Sequence, residues 1–225
     1  MAPDLFDAHA HLREVPKAGA GWIVPGVNAV EDENAPRSER IWRAAGLHPW
    51  HLDGLEGELD ALTKRAKSED IVAIGETGLD AMRRAGPRAI QERAFRHQIA
   101  LAMEHRLPLI LHVVRRHGAC LKMLREQSFP KDLGGMVHDF GGPAEVISEW
   151  IDAGFKLSIS PRSVGREDRA VWISRIPEDH LLVESDDFGP ERLLDVVRWV
   201  AAARNTDMNR VAERTERNAR QLFRI

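Results

Sequence analysis

A single (β/α)8 TIM barrel is the fold this sequence predicts. The prediction rests on eight short apolar runs of strand length, on helical periodicity between them, and on 225 residues with 43% hydrophobic content. That length and content suffice for one sizeable core, and α/β barrels fall in this size range. No internal repeat, low-complexity tract or Pro/Gly/Ser-rich linker divides the chain, so one domain over residues 1–225 is expected. An open doubly wound sheet shares the same alternation of elements, because closure is not visible in a sequence.

The strands are expected at Leu5 to Ala8, Trp22 to Val27, Ile41 to Leu47, Ile71 to Glu76, Leu107 to Val113, Gly135 to His138, Phe155 to Ile159 and His180 to Glu184. Most are near-continuous apolar runs, as in parallel strands buried on both faces. Between them, Leu55, Leu59, Leu62 and Ala66 form a helical stripe. Phe95, Ile99, Ala102 and Met103 form another, on a helix from about Pro87 to His105, with proline suited to the first turn. Val146, Trp150 and Ala153 continue the series, followed by Leu194, Val197 and Ala201 and then by Val211, Thr215, Ala219 and Leu222. The weakest unit lies at residues 28–40, which are polar and contain Pro36, so a trimmed or degenerate βα unit is expected there. Trp22, Trp42, Trp150, Trp172 and Trp199 read as packing residues.

Charge narrows the function. With 32 Lys+Arg against 35 Asp+Glu the net charge is -3, which argues against a protein that coats long nucleic acids but not against a nuclease that grips a few phosphates. Most basic residues are arginines, whose planar fork suits phosphate and carboxylate groups. No apolar run approaches the roughly 20 residues that span a bilayer, so no membrane association is expected. The lone Cys120 excludes an intramolecular disulfide framework, and Met1 to Asp4 lack the pattern of a signal peptide, so a cytoplasmic location is expected.

The chemistry lies where predicted strands end. In Asp7-Ala8-His9-Ala10-His11-Leu12 the two histidines are two apart on extended backbone, project to one side and can chelate one ion. Alone, that pair is a weak signal. Glu76, His112, His138 and Asp186 also follow apolar runs, and a barrel brings all strand C-termini to one face. Six metal-type side chains from five strands would then converge. The ordinary reading takes each separately, for instance Asp186 as a helix cap and His138 as a buried, hydrogen-bonded histidine. Mixed nitrogen and carboxylate ligands suit Zn²⁺, Mn²⁺ or a similar borderline ion better than the all-oxygen sphere of Ca²⁺, six ligands exceed one tetrahedral site, and the ions expected are Zn²⁺, Mn²⁺ or Mg²⁺. Two divalent ions are expected, an arrangement suited to in-line displacement at phosphorus.

These residues together resemble the TatD-like deoxyribonuclease family nearly end to end. The resemblance is carried by Asp7 to Leu12, Ala45-Gly46-Leu47-His48-Pro49, Gly75-Glu76-Thr77-Gly78-Leu79-Asp80, Leu107 to His112, His138-Asp139-Phe140-Gly141-Gly142, Leu182 to Asp186, and Thr215-x-x-Asn218-Ala219-x-x-Leu222-Phe223. It implies a TIM barrel of the metal-dependent hydrolase superfamily with exonuclease-like activity on DNA. It further implies that His9, His11, Glu76 and Asp186 hold one ion, that Glu76, His112 and His138 hold the second, and that Glu76 bridges. Glu76 and Asp186 would be the catalytic carboxylates, with Asp186 as general base or as ligand only.

Departures from the family pattern point to a changed substrate. Ala81 and Met82 stand where tyrosine is common, and the chain has no tyrosine. Val114 replaces an arginine, followed by Arg115 and Arg116, and Asp187 replaces a small residue. The segments around 28–40 and 81–88 are short. Among Arg83, Arg84, Arg115, Arg116, Arg162 and Arg166, Arg115 is the preferred phosphate contact and Arg116 its neighbour. His48 is expected either to touch substrate or to hydrogen-bond structurally, and Trp50 is a candidate for base stacking. The competing functions are an amide or ester hydrolase with the same metal centre and an inactive binding scaffold. Six convergent ionisable residues speak against the scaffold.

Overall fold

The structure is a computed structural model that describes residues 4–28, 36–82 and 86–225. Eight strands form one all-parallel sheet in sequence order: β1 (Phe6–Asp7), β2 (Gly21–Val24), β3 (Ile41–Ala45), β4 (Ile71–Asp80), β5 (Leu109–Val114), β6 (Gly135–Val137), β7 (Phe155–Ile159) and β8 (Leu181–Val183). The last strand meets the first. Ala8 N–H donates to Val183 O at 3.1 Å, Asp186 N–H to His9 O at 3.0 Å and His11 N–H to Asp186 O at 3.1 Å. The sheet is therefore a barrel, and the open doubly wound alternative is excluded.

The helices are α1 (Leu55–Arg65), α2 (Arg88–His105), α3 (His117–Glu126), α4 (Ile147–Asp152), α5 (Glu167–Ile173), α6 (Leu193–Ala203) and α7 (Met208–Phe223). Their buried stripes match the periodicity read from sequence, including Leu59 and Leu62, Phe95, Ile99 and Ala102, and Val211, Thr215, Ala219 and Leu222. On α6 the buried set is shifted: Leu193, Val196, Val197, Val200 and Ala201 face the core and Leu194 is half-buried. Helices α3 and α5 were not anticipated. Helix α3 has a glycine, Gly118, in its first turn, and α5 buries only Trp172 and Ile173. Of the doubtful unit at residues 28–40, residues 29–35 lie outside the described residues.

One alternation positions the site. Leu109, Leu111, Val137, Leu157, Ile159, Leu181 and Val183 pack with helix residues such as Phe95, Ile99, Trp150 and Val197. The intervening Ile110, Met136 and Leu182 belong to a separate cluster on the opposite face. His112, His138 and Glu184 lie two residues beyond these three, so the period of two carries them onto that same face past the strand ends.

Strand β4 corrects one expectation. It continues four residues beyond Glu76, so Glu76 sits inside the strand rather than at its end, beside a register shift between Ile74 and Thr77. Gly75 permits this, with φ 153 and a Cβ position that would collide with the Ile110 carbonyl of the neighbouring strand. The irregularity turns the Glu76 carboxylate toward the histidines.

Candidate metal centre

The Glu76 carboxylate occupies the middle of a ring of imidazoles. Its Oε2 lies 2.9 Å from His138 Nε2, 3.4 Å from His9 Nε2 and 3.9 Å from His112 Nδ1. Its Oε1 lies 3.6 Å from His11 Nε2 and 3.7 Å from His48 Nε2. Asp186 completes the set with Oδ1 at 3.9 Å from His9 Nε2 and 3.7 Å from His11 Nε2. All six sequence-predicted ligands therefore meet at the C-terminal face, and His48 joins them. Donor atoms close enough to share an ion fall into overlapping groups, the last of which brings in Glu184: His9, Glu76 and His138; His9, His11 and Asp186; His48, Glu76 and His112; and His138, Glu184 and Asp186.

A second layer of carboxylates, given no role from sequence, stands behind these groups. Asp80 lies 3.0 Å from His112 Nε2, and its Oδ2 accepts from the Trp50 indole N–H at 2.7 Å. Glu184 Oε1 lies 3.4 Å from His138 Nδ1 and accepts from the Asp139 N–H at 2.7 Å. Asp7 Oδ1 accepts from the Ser185 N–H at 3.0 Å and the His9 N–H at 3.3 Å. Asp80 and Glu184 lie beside the ring nitrogens of His112 and His138, where a carboxylate fixes the orientation and tautomer of a ligating histidine, whereas Asp7 holds the backbone at His9 and Ser185. Asp7 with His9, and Glu184 with Asp186, obey the same two-residue spacing as His9 with His11, which was the available signal.

Two buried glutamines of α2 fasten the segments that carry His48 and Asp80. Gln98 Oε1 accepts from the Leu47 N–H at 2.9 Å while its Nε2 donates to Leu47 O at 3.1 Å. Gln91 Oε1 accepts from the Asp80 N–H at 2.8 Å and its Nε2 donates to Asp80 O at 3.1 Å. Each side-chain amide thus exchanges a donor and an acceptor with one backbone residue, as a neighbouring strand would.

The electrostatics follow from burial and proximity. Burial would raise Glu76, but His138, His48 and His9, with the His11 hydrogen bond, outweigh it and hold the carboxyl well below its ordinary range. Burial drives His9 well below the usual histidine value, reinforced by His138. His138 goes the other way: burial is overcome by Glu76 and Glu184, so it is held well above that value. Burial also lowers His48 to about 3. Asp186 is raised, chiefly by burial, with Glu76 and Asp187 adding to it.

A divalent ion fits these residues. Both ring nitrogens of His9, Nδ1 of His138, Oε2 of Glu76 and Oε2 of Glu184 are buried without a hydrogen-bond partner among the described residues. Orphaned buried polar atoms call for a ligand or an ion, and a set of imidazoles around carboxylates is the donor chemistry of Zn²⁺ or Mn²⁺.

The centre opens into a cavity of about 390 Å³ lined also by Trp50, Met82, Val114, Asp139, Arg162 and Asp187. Arg115 and Arg116 are not in its wall: Arg115 is exposed with φ 56 and Arg116 is half-buried at the start of α3. Among the described residues, Arg162 is the arginine that reaches the site, 3.1 Å from Asp139 Oδ2, 3.3 Å from Asp186 Oδ2 and 3.3 Å from Asp187 Oδ1. Arg166 instead pairs with exposed Asp168, and Arg83 and Arg84 lie outside the described residues. Trp50 lines the cavity with its ring edge-on to His48 and His112.

Among known proteins, the chain is 32% identical to the 3'-5' ssDNA/RNA exonuclease TatD of Pantoea vagans (strain C9-1), over 91% of this chain and 88% of that one. It is also 32% identical to the uncharacterized metal-dependent hydrolase YabD of Bacillus subtilis (strain 168), over 98% and 99%. Its fold superposes on that of YjjV, a TatD homolog from Escherichia coli K12, with a TM-score of 0.84 at 23% identity, covering 98% of each chain. Residues 25–224 match the family model described as TatD related DNase. With that match, and with the barrel and the histidine–carboxylate centre it carries, the chain belongs to the TatD related DNase family of hydrolases.

Proposed function

We propose that this chain is a divalent-metal-dependent phosphodiesterase that removes nucleotides from the ends of single-stranded nucleic acid, with residues 1–225 working as one domain. The observation that carries the reading is the Glu76 carboxylate, both of whose oxygens lie within 4 Å of histidine nitrogens on several strands. The Pantoea vagans relative's activity on ssDNA/RNA supports nucleic acid as the substrate class. The free, buried thiol of Cys120 fits the reducing cytoplasm. Among the described residues no helix is long and apolar enough to cross a membrane.

In this reading His9, His11, Glu76 and Asp186 would hold one ion and Glu76, His112 and His138 a second, with Glu76 shared between the two sets. Such ions, when bound, polarise phosphoryl oxygens and lower the pKa of water. Asp186 turns Oδ1 to the histidine pair and Oδ2 toward Arg162. Its Oδ2 takes the proton of the attacking water, a role for which a carboxylate within hydrogen-bond reach is needed. His48 accepts the Trp50 N–H at Nδ1 at 3.1 Å, so in the neutral ring its proton is on Nε2, facing Glu76 and the cavity. That N–H donates to a substrate phosphoryl oxygen. Arg162, half-exposed at the rim, is the phosphate contact in place of Arg115 or Arg116, which bind only chain farther from the centre.

The test is cleavage of short single-stranded DNA by purified protein with Mn²⁺, Mg²⁺, Zn²⁺ or chelator, beside Asp186→Asn and His9→Ala. Metal-dependent cleavage lost by at least about 100-fold in folded Asp186→Asn supports the reading. Metal binding with all nucleic acid intact would overturn it and favour the ester or amide hydrolase.

A further inference from the structure

Beside the metal centre lies a second and larger cavity, about 660 Å³, walled by the β1–β2 connection from Leu12 to Ala18 and by the segment after β8 from Asp187 to Glu191. It shares His11 and Asp187 with the metal cavity, so the two adjoin. Its size is that of a pocket for a small organic group such as a nucleotide.

Phe188 forms the partition. Arg162, in the wall of the metal cavity, sets its guanidinium 4.8 Å from the Phe188 ring centroid, whereas Phe188 itself lines the second cavity. Phe188 is 40% exposed, and Val15 in the same wall is 42% exposed. Both belong to the short set of large apolar side chains exposed among the described residues, and another member, Met82, lines the metal cavity. Apolar surface gathered at a cleft rather than scattered marks a binding site.

We propose that this second cavity is a nucleotide subsite, in which the base one nucleotide removed from the scissile phosphate stacks on Phe188 while Arg13 and Lys17 contact the backbone phosphate that joins this nucleotide to the next. The inference rests on the nuclease reading and specifies where its substrate runs. A stacking ring is needed to hold a base without sequence preference. The chain has no tyrosine to supply one. Trp50, the other ring at the mouth, is held by its indole N–H on Asp80 and packed edge-on against two histidines. Phe188 is 40% exposed, with Arg162 over its ring. Arg13 and Lys17 are exposed in the same wall and pair with no carboxylate among the described residues. Glu14, Glu191 and Asp187 keep the wall mixed in charge, which suits a base and one phosphate better than a run of phosphates.

The experiment uses the full chain with oligothymidylates of two, three and four nucleotides in Mn²⁺, comparing wild type, Phe188→Ala, Phe188→Trp and the double variant Arg13→Gln with Lys17→Gln. In wild type KM falls as the substrate lengthens. Phe188→Ala is expected to flatten that dependence, raising KM for the longer substrates about tenfold, and Phe188→Trp to restore it. The double variant is expected to reduce the salt dependence of binding by about one phosphate contact, a change of about 0.7 in the log–log slope. A second readout is the fluorescence of a 2-aminopurine trinucleotide bound in the presence of chelator, where Phe188→Ala weakens affinity about tenfold. If wild type cleaves oligonucleotides and Phe188→Ala keeps the same length dependence and affinity, the subsite is refuted while the nuclease reading stands. If wild type neither binds nor cleaves them, both fall together.

Discussion

Replacing Gln98 with methionine should damage both stability and activity, although the residue touches neither substrate nor any candidate ligand. Methionine conserves volume and apolar packing, so the cavity term is small. What changes is the Leu47 backbone, whose N–H and C=O lose their partners at 2.9 and 3.1 Å. An orphaned buried polar group costs about 1–3 kcal/mol, and two of them cost about 2–6 kcal/mol. Against a total stability of about 5–15 kcal/mol this is a large fraction. Urea unfolding followed by tryptophan fluorescence measures it directly. His48 follows Leu47, so kcat should also fall, by about tenfold if the imidazole shifts by several tenths of an ångström. Gln91→Met should act likewise through Asp80. A Gln98→Met protein within 0.5 kcal/mol of wild type, with full activity, would refute the claim that this amide positions the β3 end.

Two further outcomes can be checked. Burial lowers His117 to about 4 from an ordinary 6.5, and its Nδ1 accepts from the Trp150 indole N–H. The unfolded chain binds this proton first as pH falls, so the contribution is complete above about 6.5 and is lost toward 4, up to about 3 kcal/mol in all. His117→Phe should flatten that part of the stability profile measured by urea titration, and an unchanged slope would count against it. Adding Zn²⁺ or Mn²⁺ at a hundred times its dissociation constant should raise stability by about 2.7 kcal/mol, read as an increased Tm that chelator reverses. A Tm indifferent to both ions would leave the orphaned nitrogens of His9 unexplained.

The eight strands were legible because parallel strands inside a barrel are apolar on both faces and stand out as uninterrupted runs. The convergence of the candidate ligands followed, since His112, His138 and Asp186 come at or just after the ends of those runs. Glu76 was placed correctly in space for an incomplete reason: a register shift inside β4 aims it, and a shift of that kind depends on the Ile110 backbone opposite Gly75. Asp80 and Glu184 were missed because a carboxylate that steadies a histidine announces itself only through side-chain direction. Arg115 was favoured over Arg162 by proximity to a ligand in sequence. The backbone at Arg115 is left-handed and its side chain faces solvent, whereas the turn after β7 brings Arg162 inward. Helix α3 carries an apolar stripe at Cys120, Leu121 and Leu124 that Gly118 obscured.

The seam where the last strand meets the first splits the centre by order of assembly. Asp7 Oδ1 receives the Ser185 N–H across 178 positions of chain, and His9, His11 and Asp186 are held by backbone bonds along the same line. Bringing such distant segments together costs roughly 4–5 kcal/mol of chain entropy, recovered only when the whole ring of strands closes. Glu76, His112 and His138 sit on β4 to β6, neighbours in both sequence and space, and can gather well before that. A chain caught partway through folding would thus already offer a three-residue cation trap while lacking the histidine pair, and cellular metal could capture it in that half-built state.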